Sequence, residues 1–339
     1  MKFMKYLTFA IFLFAGAVWA GDVEDGDAAI IKSDYVTALK KYKLAAVKND
    51  SYAQNLVGSI YVEGLGIKQD YAEAVRWYKL AAMQGNADAQ FNLGTMYDNG
   101  LGVDKDFTEA VRWYRAAAAQ GKTKAQLNLA ISYSFGQGVE QDYTEAVRWY
   151  KLSAAQGNPV AQFNLATMYD SGQGVAKDNA EAIRWYKLAA LQGDVSAQLN
   201  LAIKNNIGQG VVQDYTEAVR WYKLAAAQGD ATAQFNLATM YDNGQGILQD
   251  YTEAVRWYKL AAAQGKVSAQ LNLSLMYFNG KGTFQDYILA HMWSNLASVN
   301  SDEYKKKRDA IASKMTPQQI AEAQKLAREC KARNFKKCD

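Results

Sequence analysis

Residues 142–178 read DYTEAVRWYKLSAAQGNPVAQFNLATMYDSGQGVAKD, and this stretch decides the fold. Asp142 is placed to cap a helix, with Glu145 three residues on as its capping-box partner. Ala146, Trp149, Tyr150 and Ala154 fall at i, i+3, i+4 and i+8, which is one face of an α-helix. Glu145 and Arg148 lie three apart on the exposed side, within ion-pair reach, and Gly157 supplies the left-handed residue that ends such a helix. A second helix follows at once. Pro159 suits its first turn, and Ala161, Leu165, Met168 and Tyr169 supply its apolar residues. Gly172 and Gly174 then permit a turn that other residues resist, before Asp178 caps the next helix.

The unit recurs without a gap. Asp70, Asp106, Asp142, Asp178, Asp214, Asp250 and Asp286 are spaced by 36 residues, and Asp34 extends the series backwards. Trp77, Trp113, Trp149, Trp185, Trp221, Trp257 and Trp293 keep the same interval. A chain of 339 residues with 50% hydrophobic residues and only 2 prolines therefore reads as all-α, an α/α solenoid of 36-residue helix-turn-helix repeats. Its core grows lengthwise, so length does not count domains. Small residues such as Ala161 and Ala166 let helices approach, while Trp and Tyr fill the space between pairs.

The pattern A-x-x-x-L-G/A-x-x-Y-x-x-G-x-G-V followed by A-x-x-W-Y-x-x-A-A-x-x-G resembles the Sel1-like repeat. It covers seven units, 50–85, 86–121, 122–157, 158–193, 194–229, 230–265 and 266–301. The resemblance implies a right-handed superhelix related to tetratricopeptide repeats. Residues 21–49 look like a degenerate N-terminal capping pair without the Gly-x-Gly turn. Residues 302–339 form a basic C-terminal cap, in which Thr316, Pro317 and Gln319 read as N-cap, first residue and capping-box partner of a final helix to about Arg333.

Residues 1–20 have Lys2 and Lys5, an apolar run from about Leu7 to Val18, and small residues before an acidic stretch. That is the layout of a secretory signal peptide cut after Ala20, the rival being an uncleaved anchor, which needs about 20 apolar residues. No later segment is long enough to span a bilayer. Export to the periplasm is expected, with secretion as the alternative. Without Lys2 and Lys5 the chain carries 36 basic and 34 acidic residues, and residues 302–339 alone hold 11 Lys/Arg against 6 Asp/Glu. Such a tail can touch anionic lipid or form a solvated helix; export argues against nucleic acid.

Cys330 and Cys338 are the only cysteines. On one unbroken helix they would lie about 12 Å apart, too far for a bond. A disulfide therefore needs the chain to turn back, which Asn334 permits, and free thiols are the alternative. Cysteine-rich Sel1-like proteins place Cys-x7-Cys inside individual repeats, and this chain departs from that pattern.

Convergent catalytic groups are not found. His291, the sole histidine, rules out a His-Cys zinc cluster and, taken to replace the arginine of the repeat, is expected to be exposed near the cap. Some Sel1-like proteins have been linked to penicillin binding or hydrolysis, which makes a cell-wall-related enzyme, β-lactamase-like or a peptidoglycan hydrolase, the alternative, but no serine here has a lysine three residues later and Lys-Thr-Gly is absent. The Gly-x-Gly pairs, such as Gly100/Gly102 and Gly244/Gly246, follow helices, whereas a phosphate cradle leads from a strand into a helix. The recurring Trp-Tyr pairs suit a core better than a glycan platform. No metal or cofactor is expected.

What remains is surface. In tetratricopeptide proteins the first helix of each pair lines a concave groove, and the resemblance implies the same here. Its exposed positions would include Asn92, Asn128, Asn164, Asn200, Asn236 and Asn272, placed either to hold ligand backbone or to satisfy the neighbouring repeat. The first helices also alternate with a period of 72 residues, giving Phe91/Thr95/Asp98, Phe163/Thr167/Asp170 and Phe235/Thr239/Asp242 beside more aliphatic strips. Aromatic and acidic pockets at that spacing suit a protein or extended peptide with spaced apolar or basic residues. One unit breaks pattern: Lys204-Asn205 stands where Met240-Tyr241 stands later. If the tyrosine position is core, Asn205 costs about 3 kcal/mol and is a scar or a weak joint.

Overall fold

The aspartates that punctuate the sequence do cap helices, but with a different division of labour from a capping box. The Asp70, Asp106, Asp178, Asp214, Asp250 and Asp286 side chains each accept from the backbone N–H two or three residues on. Asp142 does so from Thr144 and Glu145. The aspartate's own N–H is already spent on the last turn of the preceding helix: Asp142 N donates to Tyr133 O at 3.0 Å and Asp250 N to Tyr241 O at 3.0 Å. Glu145 therefore has no cap N–H to receive, and its carboxylate instead takes Arg148 Nη1 at 3.1 Å. The arginines in turn lie over the neighbouring indoles, as Arg148 over Trp149.

The computed structural model describes residues 20–298, 301–335 and 338. The leader assigned to residues 1–20 lies outside them except for Ala20. Eighteen helices and no strand occur among the described residues. In chain order they are α1 (Ala20–Ile31) with α2 (Tyr35–Ala46), α3 (Ser51–Glu63) with α4 (Tyr71–Met83), α5 (Ala87–Asn99) with α6 (Phe107–Ala119), and α7 (Thr123–Phe135) with α8 (Tyr143–Ala155). There follow α9 (Pro159–Ser171) with α10 (Asn179–Leu191), α11 (Val195–Ile207) with α12 (Tyr215–Ala227), α13 (Ala231–Asn243) with α14 (Tyr251–Ala262), and α15 (Val267–Asn279) with α16 (Tyr287–Ala297). α17 (Asp302–Ala312) and α18 (Pro317–Ala332) close the chain. The chain falls into two compact units, divided between Leu152 and Ser153 inside α8.

Within each unit consecutive helix pairs stack as an α/α solenoid. Alanine columns make the close approaches: Ala74, Ala89, Ala110 and Ala125 in the first unit and Ala182, Ala197, Ala218 and Ala233 in the second are buried. The turns between paired helices need two glycines for different reasons. Gly244 ends α13 with φ +68, the left-handed stop. Gly246 adds close approach, since a Cβ there would overlap the backbone carbonyl of Tyr215 in the preceding pair.

At the C-terminus α16 is covered by α17 and α18. α18 starts with the full capping box of Thr316 and Gln319. Cys330 and Cys338 form a disulfide with Cα atoms 5.0 Å apart, the chain turning back through Asn334 and Phe335, both at positive φ. His291 corrects the sequence reading: it is 2% exposed. The arginine of the repeat, Arg220 or Arg256, falls at Met292, whereas His291 lies in the column of Val219 and Val255, which faces the core. Its Nδ1 is buried without a hydrogen-bond partner. Burial, then Arg308, pushes its pKa below the ordinary value, against a smaller opposing pull from Asp309.

Candidate functional site

The repeat's second aromatic, the tyrosine that follows each tryptophan from Trp77 to Trp257, is buried. Tyr114, Tyr186 and Tyr258 carry their hydroxyls to the first-helix face, where the 72-residue alternation places its clusters. Phe91 packs on Tyr114 with ring centroids 5.9 Å apart, Phe163 on Tyr186 at 5.8 Å and Phe235 on Tyr258 at 5.9 Å. Around the Tyr258 hydroxyl, Thr239 Oγ1 lies at 3.2 Å, Asp242 Oδ2 accepts at 3.5 Å, and Asn272 Nδ2 of the next repeat donates at 2.9 Å. Around Tyr114, Asp98 Oδ2 accepts at 3.1 Å, and Thr95 and Asn128 also hydrogen-bond the hydroxyl. Burial pushes the Tyr114 pKa up to about 12, so at ordinary pH the phenol is a donor and not a base.

The middle cluster differs. Tyr186 and Thr167 approach to 3.2 Å, but the Asp170 carboxylate is taken by Lys204 Nζ at 2.6 Å. Lys204, 3% exposed, fills the column of Met168 and Met240. Asp170 is thus not an open acidic pocket. Phe163, Thr167 and Asp170 share a cluster as the 72-residue period implies, yet its charge is neutralised from inside.

The asparagines are half-buried, not exposed. Asn92 donates to Asn55 Oδ1 at 3.0 Å, and Asn236 to the Tyr222 hydroxyl at 3.2 Å, both across a repeat boundary. Asn128 and Asn272 do the same to Tyr114 and Tyr258. Asn200 turns back to Ser196 O at 3.0 Å, and Asn164 is half-buried as well. Most of these amides are spent on the neighbouring repeat.

Two networks escaped the sequence reading. Buried glutamines sew the repeats together: Gln234 Nε2 donates to Ala226 O at 3.2 Å while its Oε1 accepts from Gln264 Nε2 at 2.9 Å. The same arrangement joins Gln90 to Ala82 and Gln120. Its signal was an Ala-Gln pair at one phase in every unit, easily passed over because glutamine is usually a surface residue. The second network sets a cation of one repeat against a tyrosine of the next at several junctions. Lys43 Nζ reaches the Tyr61 hydroxyl at 2.8 Å, Arg115 Nη2 reaches Tyr133 at 3.0 Å, and Lys223 and Lys259 lie 5.7 and 5.5 Å from the Tyr241 and Tyr277 ring centroids. This tyrosine column is half-buried except for Tyr277. Asn205 accordingly replaces a rim residue and not a core one, and its amide donates to Leu201 O at 2.8 Å.

Stacked helix pairs with a paired-glycine turn, an aspartate cap and an alanine-lined interface define a tetratricopeptide-like α/α repeat protein. Within that class the Sel1 repeat model matches residues 51–86, 87–122, 123–158, 159–194, 195–230, 231–266 and 267–298, and the chain belongs to the Sel1 repeat family. It is similar to a Sel1 repeat protein from Oxalobacter formigenes, with 35% identity over 71% of this chain and 97% of that one and a TM-score of 0.62. It is also similar to c5321, a protective antigen present in uropathogenic Escherichia coli strains displaying an SLR fold, with 29% identity over 94% of this chain and 85% of that one and a TM-score of 0.50. No curated protein matches the chain.

Proposed function

We propose that the chain is an exported, non-catalytic scaffold that holds an extended polypeptide along the first-helix face of its repeats. The observation that carries this reading is the recurrence of one half-buried cluster, Phe91/Tyr114/Asp98 in one unit and Phe235/Tyr258/Asp242 in the other. Each offers an aromatic edge beside a carboxylate that accepts from a neutral phenol, a setting that favours an apolar side chain next to a lysine or arginine. Carboxylates in this position repel nucleic-acid phosphate. The tyrosines stay protonated, so they contribute hydrogen bonds and no proton transfer.

The leader-like residues 1–20 and the Cys330–Cys338 disulfide support delivery to an oxidising compartment, the periplasm, with the medium as the other destination. Fractionation with mass measurement of the N-terminus tests this: a mature chain beginning at Gly21 in the periplasm is expected, and an unprocessed cytoplasmic chain rejects it.

For the binding face, Asp98→Lys with Asp242→Lys is the informative pair, because Asp170 is already committed to Lys204. Affinity capture from cell-envelope extract should lose partner at least about tenfold, roughly the worth of one charge-assisted hydrogen bond. Undiminished capture by the double variant rejects the face.

A further inference from the structure

The junction between α10 and α11 lacks both aromatic side chains that its counterparts carry. At the start of the array, Tyr35, Leu39 and Lys43 fall one helical turn apart on α2, and the last two line a cleft of about 520 Å³ with Tyr61, Ile67 and Tyr71. The same register on α10 holds Asn179, Ile183 and Lys187, and the residue matching Tyr61 is Asn205. Asparagine thus replaces an aromatic on each side of one junction.

The consequences are visible atom by atom. A Cβ on Gly210 would meet the Asn179 and Ile183 side chains, whereas at Gly246 it would meet the backbone of Tyr215. Asn179 Oδ1 is buried with no hydrogen-bond partner, although asparagine's carbonyl normally finds one. Asn205 folds its amide back onto Leu201 O and supplies no ring. Ile183 and Tyr215 are half-buried against the neighbouring core. Lys187 is exposed, in the column whose members Lys43, Lys223 and Lys259 each lie over a tyrosine. The rim is apolar: Ile207 is 57% exposed and Val212 90%. At the next junction the Ile207 position is Asn243.

We infer that this junction is a docking socket for a tyrosine side chain of a partner polypeptide, which enters beneath Lys187 and occupies the place the chain's own tyrosines hold at other junctions. The occupant is identified by the repeat itself. At Tyr61, Tyr241 and Tyr277 the same walls receive a phenol ring, its face towards a lysine, and at Tyr61 the hydroxyl also accepts from that lysine. A cation over an aromatic face attracts it even at an exposed site, and burial of the ring adds to the attraction. Ile207 and Val212 give apolar shoulders for the residues flanking the incoming tyrosine. The socket is distinct from the Phe/Tyr/Asp clusters and does not rest on them.

N-acetyl-tyrosinamide is the probe, added to the full chain labelled at isoleucine methyls. Saturable ring-current shifts are expected at Ile183 and Ile207, with none from N-acetyl-leucinamide at equal concentration. Asn205→Tyr restores the repeat's own residue, so it should fold, raise Tm by about 2 °C or more and abolish the shifts. Lys187→Ala should weaken binding about two- to fivefold, the value of one exposed cation–aromatic contact. Absence of saturable shifts in the parent chain, equal shifts from the leucine analogue, or undiminished shifts in Asn205→Tyr each overturns the socket. Because these readouts are at Ile183 and Ile207, they stand apart from capture by the Asp98→Lys, Asp242→Lys variant.

Discussion

Helices α11 and α13 have nearly the same backbone and different chemistry. Each has 13 residues, an aspartate N-cap and a left-handed glycine stop, at φ +72 and +68. Ala197, Gln198, Leu201 and Ala202 are buried as Ala233, Gln234, Leu237 and Ala238 are. Asp214 N reaches Asn205 O at 2.9 Å just as Asp250 N reaches Tyr241 O at 3.0 Å. Yet the last turn carries Lys204-Asn205 in one and Met240-Tyr241 in the other. The alanine, glutamine, glycine and aspartate columns hold the backbone, which leaves the last turn of each first helix free to vary. Repeat arrays localise such changes, because each unit touches only its neighbours.

The largest difference between the α11 and α13 repeats should come from the turns. Gly246→Ala combines a positive φ with overlap of the Tyr215 backbone, which no rotamer relieves. Strain and overpacking together cost about 4 kcal/mol. Gly210→Ala meets side chains of Asn179 and Ile183 instead, so it should cost about half as much. Urea unfolding of both variants checks this, and equal losses would show that the α10–α11 junction is packed as tightly as the α12–α13 junction.

Asp170 is paired with a buried lysine, whereas Asp242 meets only a phenol. Asp170→Ala leaves Lys204, whose side chain is 4% exposed, without its counter-ion, and should cost about 3 kcal/mol. Asp242→Ala removes only a 3.5 Å contact to the Tyr258 hydroxyl and should cost about 1 kcal/mol or less. Lys204→Met, which restores the column residue, should rescue Asp170→Ala. If it does not, the ion pair is incidental to the stability of that unit.

Much of this was legible because a 36-residue repeat tests each inference several times over. The Asp142 cap, the Gly157 stop and the Gly172/Gly174 turn follow from local propensity, and local propensity agrees with the fold here. The Glu145 role was misjudged because the cap N–H had already found Tyr133 O, a contact with no local signature. The asparagine face was legible in position and not in partners, since whether an amide meets solvent or the next repeat depends on helix rotation. Lys204 illustrates the same limit: its aspartate lies 34 residues earlier, one repeat away.

The smallest effect concerns α16, where a one-residue difference in register separates an exposed reading of His291 from a buried one. Val255 occupies the same column in α14 and has no charge to lose. His291 is held neutral by burial and by Arg308, so its folded pKa lies below the ordinary 6.5. The neutral-histidine contribution is fully present above about 6.5 and is lost as pH falls through the lower folded value, because the unfolded chain then binds the proton more readily. Protonation also places a cation beside Arg308 while its Nδ1 has no acceptor, with Asp309 the opposing charge. Acidification from pH 7.5 to pH 5 should therefore loosen the covering helices α17 and α18, faster hydrogen exchange at Ile311 and Ala323 being the local readout. His291→Val should remove that component and leave Tm at pH 7.5 within about 2 °C of the parent, since valine is the residue the column carries elsewhere. Equal acid sensitivity in parent and variant would assign the effect to the carboxylates of α17 and α18 instead.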